Sequence, residues 1–152
     1  MFSFLRKKKS FFNGEETKLI VNAIRHAEKR TSGEVRVFVE SRCSWMDAID
    51  RAAEIFFSLQ MDKTEQRNAV LVYVAMKDRQ LAVFGDEGIH NKVGTEYWNK
   101  VVSEMLLSFN KENYVKGIAE CAIQIGDALT THFPFEKDTD KNELPDEIVF
   151  GR

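Results

Sequence analysis

Residues 69–76 are apolar without a break and rich in β-branched side chains, the pattern of a strand covered on both faces rather than one with a solvated face. This stretch is predicted to be the central strand. Lys77, Asp78, Arg79 and Gln80 supply a polar connection, and residues 81–84 form a second apolar run that Gly85 ends. The two runs therefore predict an antiparallel hairpin. Upstream, Val35, Val37 and Val39 alternate with Glu34, Arg36, Phe38 and Glu40, which predicts a strand over residues 34–40 with one face more polar than the other.

Four stretches carry the 3.6-residue period of helices. Asn13-Gly14-Glu15-Glu16 has the form of a capping box and opens a helix from about Gly14 to Arg30, with Leu19, Ile20, Ala23, Ile24 and Ala27 as its apolar stripe. Ser44 is placed to cap a second, over residues 45–59, with Trp45, Ile49, Ala52, Ala53 and Phe56 facing inward. A strand, a helix and a strand in one sheet imply a right-handed parallel crossover, so residues 34–40 are expected to run parallel to residues 69–76. After the hairpin, residues 89–94 read as irregular, and Thr95 caps a third helix carrying Tyr97, Trp98, Val101, Val102, Met105, Leu106 and Phe109. A fourth helix spans residues 114–132 and Pro134 stops it.

These elements predict an α/β fold, a three-layer α/β/α sandwich with a small mixed sheet: a parallel pair plus an antiparallel hairpin, with about four helices. With 152 residues the chain suits one domain, set at residues 13–134 between a flexible basic and aromatic terminus (1–12) and an acidic tail (135–152). In the tail, Leu144 and Ile148 could pack on the domain as an apolar clip, the alternative being a free acidic segment that binds a basic partner.

A formal charge of −2 gives no reason to expect a nucleic-acid partner. Cys43 and Cys121 are far apart and lack a Cys-x-x-Cys companion, so a zinc site or disulfide framework is not indicated, and His26, His90 and His132 are scattered. The opening MFSFLRKKKSFF inverts the order of a secretory signal, and no stretch has the length of a membrane-spanning helix. A cytoplasmic protein is expected. The opening segment could lie on an anionic membrane surface, but a frayed terminus is the simpler reading.

The predicted topology collects unlike residues at one corner. Ser32, Gly33 and Glu34 open the first strand, Arg67 and Asn68 the second, and Asp86 and Glu87 follow the third, with Glu28 overhanging them. Carboxylates, an amide oxygen and a hydroxyl are hard ligands of the kind Ca²⁺ or Mg²⁺ takes. Glu28, Ser32, Glu34, Asn68, Asp86 and Glu87 are thus candidates for direct or water-mediated metal contact. Asp86-Glu87-Gly88 is not an EF-hand loop. A structural alternative is that Arg67 pairs with Glu34 or Asp86 and holds the base of the hairpin without binding anything.

At these same residues the chain resembles the TPM domain family. The likeness runs from the Phe-Phe-Asn at Phe11, through residues 27–37, 67–75 and 84–89, to Phe133-Pro134 and residues 142–148. It is closest in form to short, stand-alone bacterial members, with one departure at Ala69, where such members more often have Gly after Arg-Asn. The resemblance implies a three-layer α/β/α domain, Ca²⁺ or Mg²⁺ bound in an acidic depression, and a phosphatase activity proposed for some plant relatives. For that activity the chain offers neither a Cys nucleophile with a phosphate-cradling Gly loop nor an Asp-x-Asp pair. The reading carried forward is a cation-binding interaction module, with a metal-dependent phosphomonoesterase as the alternative.

Overall fold

The computed structural model describes residues 11–43, 45–110, 113–135 and 148–151. Its elements follow in the order α1 (Gly14–Glu28), β1 (Glu34–Glu40), α2 (Ala48–Ser58), β2 (Ala69–Ala75), β3 (Gln80–Gly85), α3 (Glu87–Asn110), α4 (Tyr114–His132) and β4 (Val149–Phe150). The sheet order is β3-β2-β1-β4. β1 runs parallel to β2 and to β4, and β2 runs antiparallel to β3. This is the predicted α/β sandwich, with the parallel pair, the hairpin and four helices.

All seven residues of β2 are shut off from solvent. Alternation then sends Val70, Val72 and Val74, with Val35, Val37 and Val39 of β1, into the layer built by α1, α3 and α4. Leu71, Tyr73 and Ala75, with Phe38, enter the opposite layer against Ala52, Ile55 and Phe56 of α2. The sheet is thereby covered on both faces.

The predicted cap of α1 is present: the Asn13 side chain accepts from the Glu16 N–H at 2.8 Å, and the Glu16 carboxylate accepts from the Asn13 N–H at 3.0 Å. α2 is shorter than expected. It starts at Ala48 behind Asp47, while Ser44 lies outside the described residues, and Trp45 and Ile49 are exposed rather than facing the core. Ile55 takes the inward position instead, because the helix packs through Ala52, Ile55 and Phe56. Residues 89–93 are helical rather than irregular, while the break expected before Thr95 is present at Gly94. The helix begins at Glu87, and the discontinuity falls at Gly94 alone, whose φ of 80° only glycine adopts readily.

The more polar face of β1 is not solvated. Glu40 is buried, and Arg51 from α2 grips both of its oxygens, Nε to Oε2 and Nη2 to Oε1, at 2.9 Å each. The Tyr73 hydroxyl donates to Glu40 Oε2 as well. Burial and the bond to Glu40 raise the Tyr73 pKa far above the usual phenol range. The guanidinium thus ties α2, the one helix of its layer among the described residues, to the sheet through a carboxylate that is fully hydrogen-bonded.

At the far edge, β4 pairs Val149 with Phe38 and Phe150 with Val39, an element absent from the sequence reading. Ile148 is buried in the core, and the Phe150 ring lies 6.4 Å from that of Phe11 and 6.0 Å from that of Phe12. The stretch set apart as residues 1–12 therefore has its last two residues packed on the domain. Of the proposed clip, Ile148 is in place and Leu144 lies outside the described residues.

Two outcomes follow for stability. Replacing Arg51 with Met leaves the Glu40 carboxylate buried with Tyr73 alone, and is expected to cost about 2–3 kcal/mol in urea unfolding, scaled from broken buried pairs; adding Glu40→Gln to it should recover part of the loss. Deleting residues 148–152 removes a buried Ile and a packed Phe, a loss of about 3 kcal/mol that a melting curve would read as a drop of several degrees. An unchanged midpoint in either case rejects the role assigned.

Candidate functional site

The start of β1, the start of β2 and the end of β3 meet at one edge, as the topology requires. Ser32, two residues before β1, accepts at Oγ from Asn68 Nδ2 and from Gln66 Nε2, both at 3.2 Å. Its own N–H donates to the Phe133 carbonyl at 3.0 Å, and Thr31 bridges to Pro134, so the start of β1 is fixed against the end of α4. Glu34, buried at the first position of β1, donates its N–H to the Asn68 carbonyl at 3.3 Å. Ser32, Glu34 and Asn68 are thus brought together. Gln66 was not among the expected residues; its only signal in the sequence is its place beside Arg67 and Asn68.

Glu28 closes α1, at the negative end of the helix where a carboxylate is disfavoured. The compensation is local: its Oε2 accepts from the Val35 N–H at 2.6 Å, a bond that spans the turn into β1. Asn68 is 1% exposed, and its side-chain oxygen has no hydrogen-bond partner among the described residues. A buried amide oxygen without a donor carries the desolvation penalty of an unmade hydrogen bond, on the order of 1–3 kcal/mol.

Asp86 and Glu87 are held differently. Arg67 Nε and Nη2 bind the two oxygens of Asp86 at 2.7 and 2.8 Å, and Nη1 reaches Glu87 Oε1 at 3.2 Å. Asp86 Oδ1 also accepts from the Glu87 N–H at 2.8 Å, which caps α3, and the helix dipole adds to the stabilisation of both carboxylates. The bond to Asp86 raises the Arg67 pKa above its usual value. This is the ion pair anticipated as the structural alternative, formed with Asp86 rather than Glu34.

The geometry behind the pair is tight. Arg67 adopts a left-handed backbone with φ of 52°, and its carbonyl accepts the Gly88 N–H at 2.8 Å. A Cβ on Gly88 would lie 2.2 Å from the Gln66 carbonyl oxygen and 2.5 Å from that of Arg67, so glycine is required for α3 to start against this turn.

The chemistry available is correspondingly narrow. Among the described residues no three His, Cys, Asp or Glu side chains gather as a metal-holding group. Burial pushes the Cys121 thiol up to about 12, which leaves no thiolate there near neutral pH. What the corner offers is a neutral oxygen cluster beside buried Glu34, flanked by an acidic pair that an arginine already satisfies. Among the described residues no helix is long and apolar enough to cross a membrane.

A family profile, the TPM domain, matches residues 5–128. The chain is similar to the BA42 protein from the psychrophilic bacterium Bizionia argentinensis, with 40% identity over 97% of this chain and 100% of that one, at a TM-score of 0.86. The N-terminal domain of a protein from P. gingivalis superposes with a TM-score of 0.66 at 12% identity, covering 82% of this chain and 80% of that one. The N-terminal domain of a Corynebacterium glutamicum protein does so at 0.59 and 10%, covering 95% and 90%. The last two likenesses concern the fold alone, and no curated protein matches the chain. The family match spans most of the sequence and includes the corner residues from Glu28 to Glu87, and the chain belongs to the TPM domain family.

Proposed function

We propose that this TPM domain is a binding module that takes a divalent cation, Ca²⁺ or Mg²⁺, weakly at the edge where β1 and β2 begin. The observation that carries the reading is the buried Asn68 side-chain oxygen, which has no donor among the described residues, while the nitrogen of the same amide donates to the Ser32 hydroxyl. An oxygen so placed is stabilised by a cation more than by any group now near it. Ser32, Glu34 and Asn68 fit a hard ion as oxygen ligands, directly or through water, and Glu28 adjoins them through its bond to Val35. Asp86 and Glu87 join this set only in so far as Arg67 releases them; while paired, they contribute charge and rigidity. With few uncompensated carboxylates the affinity belongs to the weak range, on the order of 10⁻⁴–10⁻³ M. A bound ion would supply positive charge and local ordering at a corner that another molecule could then read.

The test is a titration of Ca²⁺ and of Mg²⁺ followed by amide resonances. Shifts are expected at Gly33, Glu34 and the Asn68 side-chain amide, reduced about tenfold in apparent affinity in Asn68→Ala, a loss comparable to one ligand worth about 1.4 kcal/mol. No change, or changes confined to the acidic tail, rejects the site.

The same geometry bears on hydrolysis. A phosphomonoester needs cationic donors for its phosphoryl oxygens and an activated water or nucleophile within reach of one point. Arg67, the cation at this corner, is committed to Asp86 through two bonds and to Glu87 through a third. Little or no turnover of p-nitrophenyl phosphate is therefore expected with Ca²⁺, and at most slow turnover with Mg²⁺ or Mn²⁺. Metal-dependent hydrolysis abolished in folded Asp86→Ala and Asn68→Ala variants would replace the binding module by the phosphatase.

A further inference from the structure

β3 is an edge strand, and its pairing with β2 settles which of its backbone groups are free. The Asp86 N–H donates to the Ala69 carbonyl at 2.9 Å, so in an antiparallel ladder Phe84, Ala82 and Gln80 exchange hydrogen bonds with Leu71, Tyr73 and Ala75. The N–H and C=O groups of Leu81, Val83 and Gly85 then point outward. None of the three has a hydrogen bond on that side among the described residues.

This edge is the floor of a groove of about 930 Å³ that runs between α2 and α3. One wall carries Ile49 and Phe57 of α2, 48% and 50% exposed; the other carries Trp98 and Val102 of α3. Trp98 is buried at 7% exposure, but large apolar side chains as open to water as Ile49 and Phe57 beside unpaired strand groups are what a protein normally avoids at an edge. The rim is acidic: Asp47, Asp86 and Glu87 outweigh Arg67. The Asp47 side chain makes no capping bond, so its charge is uncommitted to the helix.

We propose that this groove binds an extended peptide that adds as a fifth strand to β3, with a run of about five apolar residues flanked by Lys or Arg. Its backbone pairs with the outward groups of Leu81, Val83 and Gly85. Because side chains of a strand alternate between faces, one set packs on Ile49 and Phe57 and the other on Trp98 and Val102, which requires apolar residues on both faces. The flanking cations meet the acidic rim. A second copy of the chain does not fit. Leu81, Ala82 and Val83 are only 8%, 4% and 3% exposed, so the edge is recessed between two helices, and an identical edge carrying its own pair of helices cannot reach it. This proposal does not depend on cation binding at the β1 and β2 corner.

The probe is an acetylated nine-residue peptide with a Val-Ile-Val-Ile-Val core and two lysines at each end, titrated into the full chain in EDTA at low salt. Expected are amide shifts and slowed hydrogen exchange at Leu81, Val83 and Gly85. Ile49→Ser and Phe57→Ser, both at exposed positions outside the core, should each weaken binding about tenfold, the loss of one apolar wall contact. Replacing the four lysines with glutamates should weaken it at least about tenfold. N-methylation of alternate core residues, which removes the donors toward β3, should abolish it in one of the two registers. Absence of shifts at these three amides up to millimolar peptide overturns the proposal, as does equal binding of the glutamate peptide. Sedimentation showing a dimer lost in Phe57→Ser would overturn it in favour of self-association.

Discussion

Seven consecutive residues with no contact with water set the terms for the rest of this molecule. Inside β2 every N–H and C=O must find a partner, because an unmade bond there has no solvent to fall back on. Neighbours on both sides are therefore obligatory, and β1 and β3 supply them over the full length of the strand. Covering both faces in turn demands a helical layer on each. Polar side chains are left with the ends of the strands, which is why Asn68, Arg67 and Asp86 gather at one end while Glu40, buried near the other, needs Arg51 and Tyr73 to hold it.

The corner is held by a strained residue and its compensation. Arg67 sits in the left-handed region, which costs a non-glycine residue on the order of 1 kcal/mol. Its bidentate grip on Asp86 and the Gly88 N–H on its carbonyl over-determine that conformation. The turn before β2 is thereby fixed to the start of α3, and through β3 to the hairpin. One consequence is electrostatic. Arg67 offsets one of the two negative charges of Asp86 and Glu87, and the other remains at the positive end of α3.

Much of this was legible in the sequence because burial leaves a period. The unbroken apolar run of β2 and the valine alternation of β1 named their strands residue for residue or nearly so. Asn13 and Glu16 named the cap of α1, and the pairing of Arg67 with Asp86 was among the foreseen alternatives. The misreadings share a cause. Trp45 and Ile49 fit a helical stripe, yet apolar residues at the right spacing do not say whether a surface is there to cover them. Residues 89–93 lacked a stripe, but a helix that starts on an Asp86 cap needs little more. β4 is two residues long, too short for any period, and its sequence signal was only the apolar Ile148-Val149-Phe150 after an acidic stretch. Gln66 was missed because side chains in loops obey no period at all.

The two edges of the sheet are treated unequally, and the difference is physical. On the β1 side the segment at residues 148–151 lays down β4, and the Gly151 N–H reaches the Val39 carbonyl at 2.6 Å, so that edge is paired at Phe38 and Val39, where the rings of Phe11 and Phe12 pack on Phe150. On the β3 side no segment among the described residues performs that service. Recession protects it instead, with α2 and α3 rising on either side. Recession alone would be served best by polar walls, since these would discourage any apolar strand from entering. The walls instead carry Ile49, Phe57, Trp98 and Val102, with the polar His90, Thr95, Asn99 and Ser103 between the apolar positions of α3. A protein that closes one edge with its own tail and leaves the other narrow, apolar and acid-rimmed has the features of a selective docking groove rather than of an edge merely shielded from aggregation.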